Sequence, residues 1–342
     1  PATLRRQRQM CIRDSIRTGK DDFYVLEDNC RTPSGVSYML ENREIMMKMF
    51  PDLFHSNRVL RVDDYPTRLL QTLMSLAPKK CDSSVPTVVL LTPGHLNSAY
   101  YEHTFLSDQM GIEMVEAQDL FVENDFLYMK TVDGPKKIDV VYRRIDDDYL
   151  DPLAYNPNSV IGVPGITHVY KTGGVNICSA PGAGIADDKA VYIYVPEMIK
   201  FYLGETPILD NVQTWRCERD DDLKYVLENI DELVIKEVDG SGGHGMLIGP
   251  KSTKQEIEDF SSKLKLHPEG YIAQPTLDLS SSPTLIDNEI SGRRVDLRPF
   301  CLLGENVQLC PGGLTRVALG KGSYVVNSSQ GGGVKDTWVL AD

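Results

Sequence analysis

Residues 233–249 read L-V-I-K-E-V-D-G-S-G-G-H-G-M-L-I-G. An apolar, β-rich run from Leu233 to Val238 carries one lysine, Lys236, and enters a loop holding Gly240, Gly242, Gly243 and Gly245. Met246, Leu247 and Ile248 are apolar again. Glycines this dense expose backbone N–H groups and reach positive φ angles, as wrapping phosphate oxygens requires. A lysine in a buried strand is costly unless an anion pairs with it. Together the two features predict a nucleotide phosphate site.

Gly240, Gly242 and Gly245 also satisfy the spacing G-x-G-x-x-G. A dinucleotide turn of that kind must open a helix, whereas Met246-Leu247-Ile248 followed by Gly249-Pro250 predicts a strand and a stop. The pattern G-x-x-x-x-G-K-[ST] is absent, because Lys251-Ser252 come only after Pro250. The stretch therefore predicts strand, glycine loop, strand: a hairpin lid over phosphates. A glycine-rich surface hairpin without ligand is the plainer alternative.

Working outward, the 342 residues hold two or three domains with ample core. Hydrophobic content of 41% and charged content of 25% are those of a soluble globular chain. A net charge of −13 argues against a nucleic-acid or anionic-membrane surface. A bound polyphosphate must then be gripped by a local cluster of Lys and Arg. The seven cysteines show no C-x-x-C pair, which predicts reduced thiols and a cytoplasmic setting. No apolar run approaches the ~20 residues of a membrane span.

Residues 1–20 differ from the rest. Arg5, Arg6, Arg8, Arg13, Arg17 and Lys20 make a basic segment in an acidic chain, which is one signature of a targeting signal. Gln9-Met10-Cys11-Ile12-Arg13-Asp14-Ser15 resembles translated sequencing-adapter sequence. The segment is accordingly expected to be non-native or disordered, with native sequence resuming partway into a domain.

Phe23-Tyr24-Val25-Leu26 predicts a strand ending in Glu27-Asp28-Asn29. Glu27 and Asn29 then share one face, and a carboxylate beside an amide oxygen suits Mg²⁺. Strand-end turn chemistry is the plainer reading. Residues 30–35 form a turn rich in donors, after which Ser34 or Ser37 caps a helix running to about Met49 and stopped by Pro51. Residues 65–77 predict a second amphipathic helix. Residues 87–92, 98–110 and 112–116 predict strand, helix and strand, a right-handed βαβ unit. Residues 125–130 and 137–142 predict a strand pair joined across Asp133-Gly134. Arg143-Arg144-Ile145-Asp146-Asp147-Asp148 follows at a strand end, where α/β folds place ligand groups; a solvated charge run is the alternative.

Residues 175–190 are rich in small side chains and end at Lys189, a second phosphate candidate. Helices are predicted from Pro196, over 220–230 and over 253–266. Tyr271-Ile272-Ala273-Gln274 predicts a strand whose place in the chain puts its backbone at an adenine edge. Asp296 and Arg298 alternate on a further strand, Arg316 follows Gly312-Gly313-Leu314-Thr315, and residues 327–335 offer another anion nest.

These motifs in order are E-D-N-C-R-T-P-S-G-V-S-Y-M-L-E-N-R at 27–43, Y-R-R-I-D-D at 142–147, D-D-K-A at 187–190 and the hairpin glycines. V-D-L-R-P-F at 295–300, P-G-G-L-T-R-V-A-L at 311–319 and V-N-S-S-Q-G-G-G at 326–333 complete the set. From Phe23 onward the chain resembles the circularly permuted ATP-grasp family related to glutathionylspermidine synthase. The resemblance implies an α/β fold of α+β subdomains with a Rossmann-like pre-ATP-grasp domain. It divides the chain into 21–84 (the permuted N-terminal part of the core), 85–170 (Rossmann-like) and 171–342 (ATP-grasp subdomains with the lid). It implies Mg-ATP as cofactor and a carboxylate and an amine as substrates, joined through an acylphosphate.

By the same resemblance Lys189 and Lys236 hold the nucleotide. Gly240, Ser241, Gly242, Gly243, His244 and Gly245 form the lid, and Ala273 and Gln274 lie at the adenine hinge. Glu27 and Asn29 hold Mg²⁺, Arg298 and Arg316 stabilise the transferring phosphoryl group, and Arg31 and Ser34 face the acceptor. Phosphoryl transfer rests on positioning and charge neutralisation, which is why cations and metal ligands dominate the set. The family also carries a metal-holding aspartate on a strand before Phe23, a place taken here by the segment set aside above; Asp14 is therefore not assigned that role. A catalytically inactive ATP-binding scaffold and an NAD-dependent oxidoreductase are the competing readings.

Overall fold

The computed structural model describes residues 10–20, 22–240, 245–304, 306–320, 322–323, 326 and 331–341. Its largest sheet has six strands in the order Asp210–Asn211, Phe23–Asn29, Met10–Arg17, Arg298–Leu303, Val307–Val317, Gly333–Trp338. Only the pairing at the first edge is parallel; the others are antiparallel.

The segment expected to stand outside the fold is, from Met10, a strand near the middle of this sheet. Met10 and Ile12 are buried beside Phe300 and Leu302, their partners across the ladder, and the apolar alternation of the strand is what places it there. Residues 1–9 lie outside the described residues.

A layer of helices covers the sheet. Val36–Met49, Tyr65–Met74 and Tyr100–Met110 contribute Val36, Met39, Leu69, Leu73 and Leu106 to one core, which also takes Leu90 and Tyr142 from a second sheet. That second sheet is wholly parallel, in the order Glu113–Val115, Val88–Leu91, Val140–Arg143, Asn176–Cys178. Every residue of Val88–Leu91 is buried, as a strand covered on both faces requires. The βαβ unit is present as expected, and the apolar core crosses the boundary drawn at residue 84.

The strand pair expected across Asp133-Gly134 is Phe126–Thr131 with Gly134–Ile138. Residues 140–142 were assigned to the same hairpin, but they turn away into the parallel sheet. Asp139 makes the break: its buried carboxylate accepts the Thr87 N–H at 2.9 Å, and its backbone pairs with Thr87 and Asn176.

The third sheet is antiparallel, in the order Trp215–Arg216, Tyr271–Pro275, Leu233–Glu237, Leu247–Ile248. Asp220–Glu228 and Lys254–Leu266 pack on it through Val226 and Leu264. Lys254–Leu266 starts at Thr253, whose hydroxyl accepts from Glu256 N while the Glu256 carboxylate answers at Thr253 N. The strands on either side of the glycine stretch thus pair antiparallel, Val234 and Ile235 facing Ile248 and Leu247. A strand follows Gly245 where a dinucleotide turn needs a helix, so the oxidoreductase reading loses its structural basis.

Candidate active site

A cleft of about 480 Å³ runs between the six-stranded sheet and the hairpin sheet. The first supplies Glu27, Asn29, Arg298 and Arg316; the second supplies Val234, Lys236, Ile248 and Gln274. Arg31, Thr32, Pro33 and Ser34 form a further wall together with Asp146 and Asp187.

At the floor, register decides which groups meet. Asp14 lies directly across the ladder from Glu27. Its carboxylate is buried and accepts from Arg298 Nε at 2.5 Å and from an Arg316 terminal nitrogen at 3.0 Å. Arg316 Nε donates in turn to Asp296 at 2.6 Å. Burial raises the Asp14 carboxyl, but Arg298 and then Arg316 outweigh it and hold Asp14 below the ordinary carboxylate range. Asp296 goes the other way: burial lifts it, and Arg316 only partly offsets the effect. Burial also opposes the charge on Arg316, yet Asp14 and Asp296 raise its pKa above the ordinary arginine value. Two guanidinium groups are thereby held in fixed orientation on the cleft wall.

Lys189 opens the short helix Lys189–Tyr192, which Asp188 caps through Ala190 N. Its ammonium donates to Gly240 O at 2.6 Å and lies 3.4 Å from Glu27. Lys236 donates to Gln274 Oε1 at 2.8 Å. Burial pushes the Lys236 ammonium down to about 8, with Glu27 opposing and Lys189 adding to the shift. A half-buried lysine of lowered pKa, its only hydrogen-bond acceptor among the described residues a neutral amide, is electrostatically unsatisfied until an anion arrives.

Gln274 is fixed from both ends, since its amide nitrogen donates to Thr214 at 3.0 Å. Ala273 is different. It is fully buried, paired with Trp215 on one side and Ile235 on the other, and is not part of the cleft wall. Its backbone belongs to the sheet, and the wall continues instead through Pro275 and Leu277. Gly245 has φ +68°, a left-handed conformation that suits glycine, and it lies just behind Met246, which lines the cleft. Ser241, Gly242, Gly243 and His244 lie outside the described residues.

The turn at 30–35 is pinned from three directions. Asp187 accepts the backbone N–H groups of Cys30 and Arg31, at 2.5 and 3.2 Å. Glu102, from the Tyr100–Met110 helix, accepts Gly35 N at 2.6 Å and Ser37 N at 3.1 Å. Arg144 donates to Pro33 O at 2.7 Å and to the Ser34 hydroxyl, and pairs with Glu102 at 3.2 Å. The helix Val36–Met49 therefore takes its N-terminal cap from Glu102, not from Ser34 or Ser37. A carboxylate there also complements the helix dipole. Ser34 lines the cleft, but its hydroxyl already donates to Thr32 O. Arg143 and Arg144 are buried and bind carbonyls, so the two arginines of the charge run are interior structure; Asp146 and Asp148 are exposed, and Asp146 lines the cleft.

Glu27, Asn29, Arg31, Ser34, Lys189, Lys236, Gly240, Gln274, Arg298 and Arg316 thus share one cleft. Sequence reasoning passed over Asp14, Glu102 and Asp187. Asp187 stood in the D-D-K run, and Asp14 matched the aspartate expected before Phe23. Glu102 left no local signal.

Glu27 and Asn29 fit a hard divalent cation. Both line the cleft, and the buried amide nitrogen of Asn29 has no hydrogen-bond partner among the described residues. Those residues contain no cage of three or more His, Cys, Asp or Glu. Mg²⁺ needs none when substrate phosphates and water complete its octahedron.

A cleft between two α+β sheets, with two lysines, a glycine hairpin and an Arg–Asp floor, defines a nucleotide-grasping ligase architecture. The chain belongs to the circularly permuted ATP-grasp type 2 family, which it matches over residues 3–318. It is 53% identical over 328 residues to an uncharacterized protein of Synechocystis sp., covering 96% of this chain and 68% of that one. An uncharacterized protein of Mycobacterium tuberculosis is 53% identical over 330 residues, covering 96% and 59%. A Frankia casuarinae protein bearing a provisional glutamate–cysteine ligase name is 40% identical over 329 residues, covering 95% and 38%. The chain thus spans only part of these relatives. Among solved structures, a glutathione synthetase-like effector from Globodera pallida superimposes with a TM-score of 0.63 at 11% identity, covering 97% of this chain and 76% of that one, a likeness of fold.

Proposed function

We propose that this chain is an ATP-dependent carboxylate–amine ligase acting through an acylphosphate. A substrate carboxylate oxygen attacks the γ-phosphorus of ATP and ADP leaves. An amine then attacks the acyl carbon, phosphate leaves, the nitrogen loses a proton, and an amide remains. Lys189, Lys236 and the glycine hairpin hold the phosphates. Arg298 and Arg316, oriented by Asp14 and Asp296, face the phosphoryl group in flight, where fixed cations are worth most. Glu27 and Asn29 would hold Mg²⁺, which would supply charge neutralisation for phosphoryl transfer. Arg31 and Ser34 face the acceptor.

The observation that carries this reading is the meeting of Lys236, Lys189, Arg298 and Arg316 with Glu27 and Asn29 in one cleft. A closer kinship with glutathionylspermidine synthase is part of the proposal and rests on the ordered motifs. A cytoplasmic setting is also proposed: no two of the cysteines are joined in a disulfide, and no helix among the described residues is long and apolar enough to cross a membrane.

Incubation with Mg-ATP, a mixed pool of carboxylates and hydroxylamine tests the reading. Hydroxylamine traps an acylphosphate as a hydroxamate, with one ADP released per hydroxamate. Tight Mg-ATP binding without ADP release under any substrate pool would favour the inactive scaffold.

A further inference from the structure

Arg31 and Asp146 stand side by side on the wall of the cleft, 32% and 49% of their side chains exposed. The other cations of the site each donate a side-chain hydrogen bond to the protein. Arg298 and Arg316 hold Asp14 and Asp296, while Lys189 and Lys236 hold Gly240 O and Gln274. Arg31 differs. Its Nε is the atom nearest both Asp146, at 3.5 Å, and Asp187, at 3.6 Å. Its two terminal nitrogens make no hydrogen bond among the described residues, so the fork that binds carboxylates bidentately is open. The Asp146 carboxylate likewise accepts no hydrogen bond among those residues, and it touches Arg31 only at ion-pair distance. The backbone beneath is rigid, because Asp187 holds Arg31 N and Arg144 holds Pro33 O. An open guanidinium beside an open carboxylate complements a ligand carrying a carboxylate and an ammonium on one carbon.

We propose that this pair is the head-group subsite for an α-amino-acid substrate, with Arg31 taking the α-carboxylate and Asp146 the α-ammonium. The assignment rests on the ligase reading and narrows its acceptor. An ammonium held by Asp146 is protonated and is no nucleophile, and a carboxylate held by Arg31 is turned from the phosphate. The group that reacts is therefore at the far end of the side chain, an ω-carboxylate to be activated or an ω-amine to attack. Reach agrees: Asn29 and Arg31 are two positions apart, at most about 7 Å of chain, which a side chain of three or four carbons spans.

The test is calorimetric titration of the protein saturated with Mg²⁺ and a non-hydrolysable ATP analogue. The probes are L-glutamate and L-lysine, beside glutarate (no ammonium), γ-aminobutyrate and cadaverine (no α-carboxylate). The subsite predicts that one of the two amino acids binds at least tenfold tighter than its truncated analogues. Asp146→Asn weakens that amino acid about tenfold and leaves the deaminated analogue unchanged. Arg31→Gln weakens every probe that carries the α-carboxylate, and both variants keep nucleotide affinity within about twofold. Nucleotide binding without preference for the intact head group, or with neither variant altering it, overturns the subsite and leaves the ligase reading standing. A folded protein that binds no Mg-nucleotide overturns both.

Discussion

Asp14 and Arg298, 284 positions apart in the chain, meet through a 2.5 Å hydrogen bond from the guanidinium Nε to a fully buried carboxylate. The carboxylate carries its charge there because Arg298 and Arg316 together overcome its burial. Removing it leaves two guanidinium groups crowded at one spot without their shared partner. Asp14→Ala is expected to destabilise the protein by about 3–5 kcal/mol, the cost of breaking a buried pair. Urea denaturation measures it, and a loss under about 1 kcal/mol would mean that the Arg–Asp floor is not a structural unit.

Lys236 gives a pH signature. Its ammonium sits near 8 in the folded protein against an ordinary 10.5, burial being the main cause. A lowered lysine binds its proton less tightly folded than unfolded. The penalty is therefore full below pH 8 and relieved as pH rises from 8 towards 10.5, so stability of the nucleotide-free protein gains from this group over that window. Nucleotide binding has the opposite slope. A phosphate needs the charged form, so Mg-ATP affinity is expected to fall roughly tenfold per pH unit above about 8. Lys236→Ala should lose roughly 1–3 kcal/mol of ATP binding and flatten the profile. Titrations at pH 7 and 9 check both statements, and an equal pH slope in wild type and variant would remove Lys236 from the phosphate site.

Glu27 separates binding from chemistry. It touches Lys189 at 3.4 Å and fits the role of metal ligand beside Asn29. Glu27→Gln keeps shape and removes charge, so nucleotide affinity should change little while phosphoryl transfer falls below detection. ADP release measured beside equilibrium binding decides the matter; full turnover in the variant would take Glu27 out of the metal site.

Glu102 lies outside the cleft and yet controls the turn that lines it. Its carboxylate holds Gly35 N, Ser37 N and Arg144, all in the interior. Glu102→Ala should cost about 3–5 kcal/mol by stranding buried Arg144. Thermal and chemical unfolding report that loss. Glu102→Gln, which keeps an acceptor, should recover part of it, and equal damage from both changes would point to packing rather than charge.

What the sequence made legible was local. Glycine density and Gly249-Pro250 identified the hairpin, and the apolar run at 88–91 with the helix after it identified the βαβ unit. Lys236 could be singled out because a lysine among apolar strand neighbours needs an anion, whereas Arg298 and Arg316 were named through the family resemblance; all of them line the cleft. Glu102 could not be read this way, since its partners lie 42 to 67 positions off and only tertiary packing joins them. Ala273 lies inside its sheet and not among the residues lining the cleft, because position in the chain indicated a strand near the nucleotide but not which residue of that strand reaches the wall. Asp14 was set aside because local composition outweighed the strand periodicity of Met10 and Ile12, which the sheet restores.

The central position of Met10–Arg17 has a consequence for biosynthesis. One edge of this strand finds Phe23–Asn29 almost at once, but the other pairs with Arg298–Leu303. At roughly 5–20 residues per second the ribosome needs roughly 15–60 s to make the intervening chain. Through that interval the hairpin carries an unpaired edge of the kind that recruits foreign strands. The cleft cannot assemble before synthesis of its sheet is nearly complete, so no growing fragment can acquire the activity early.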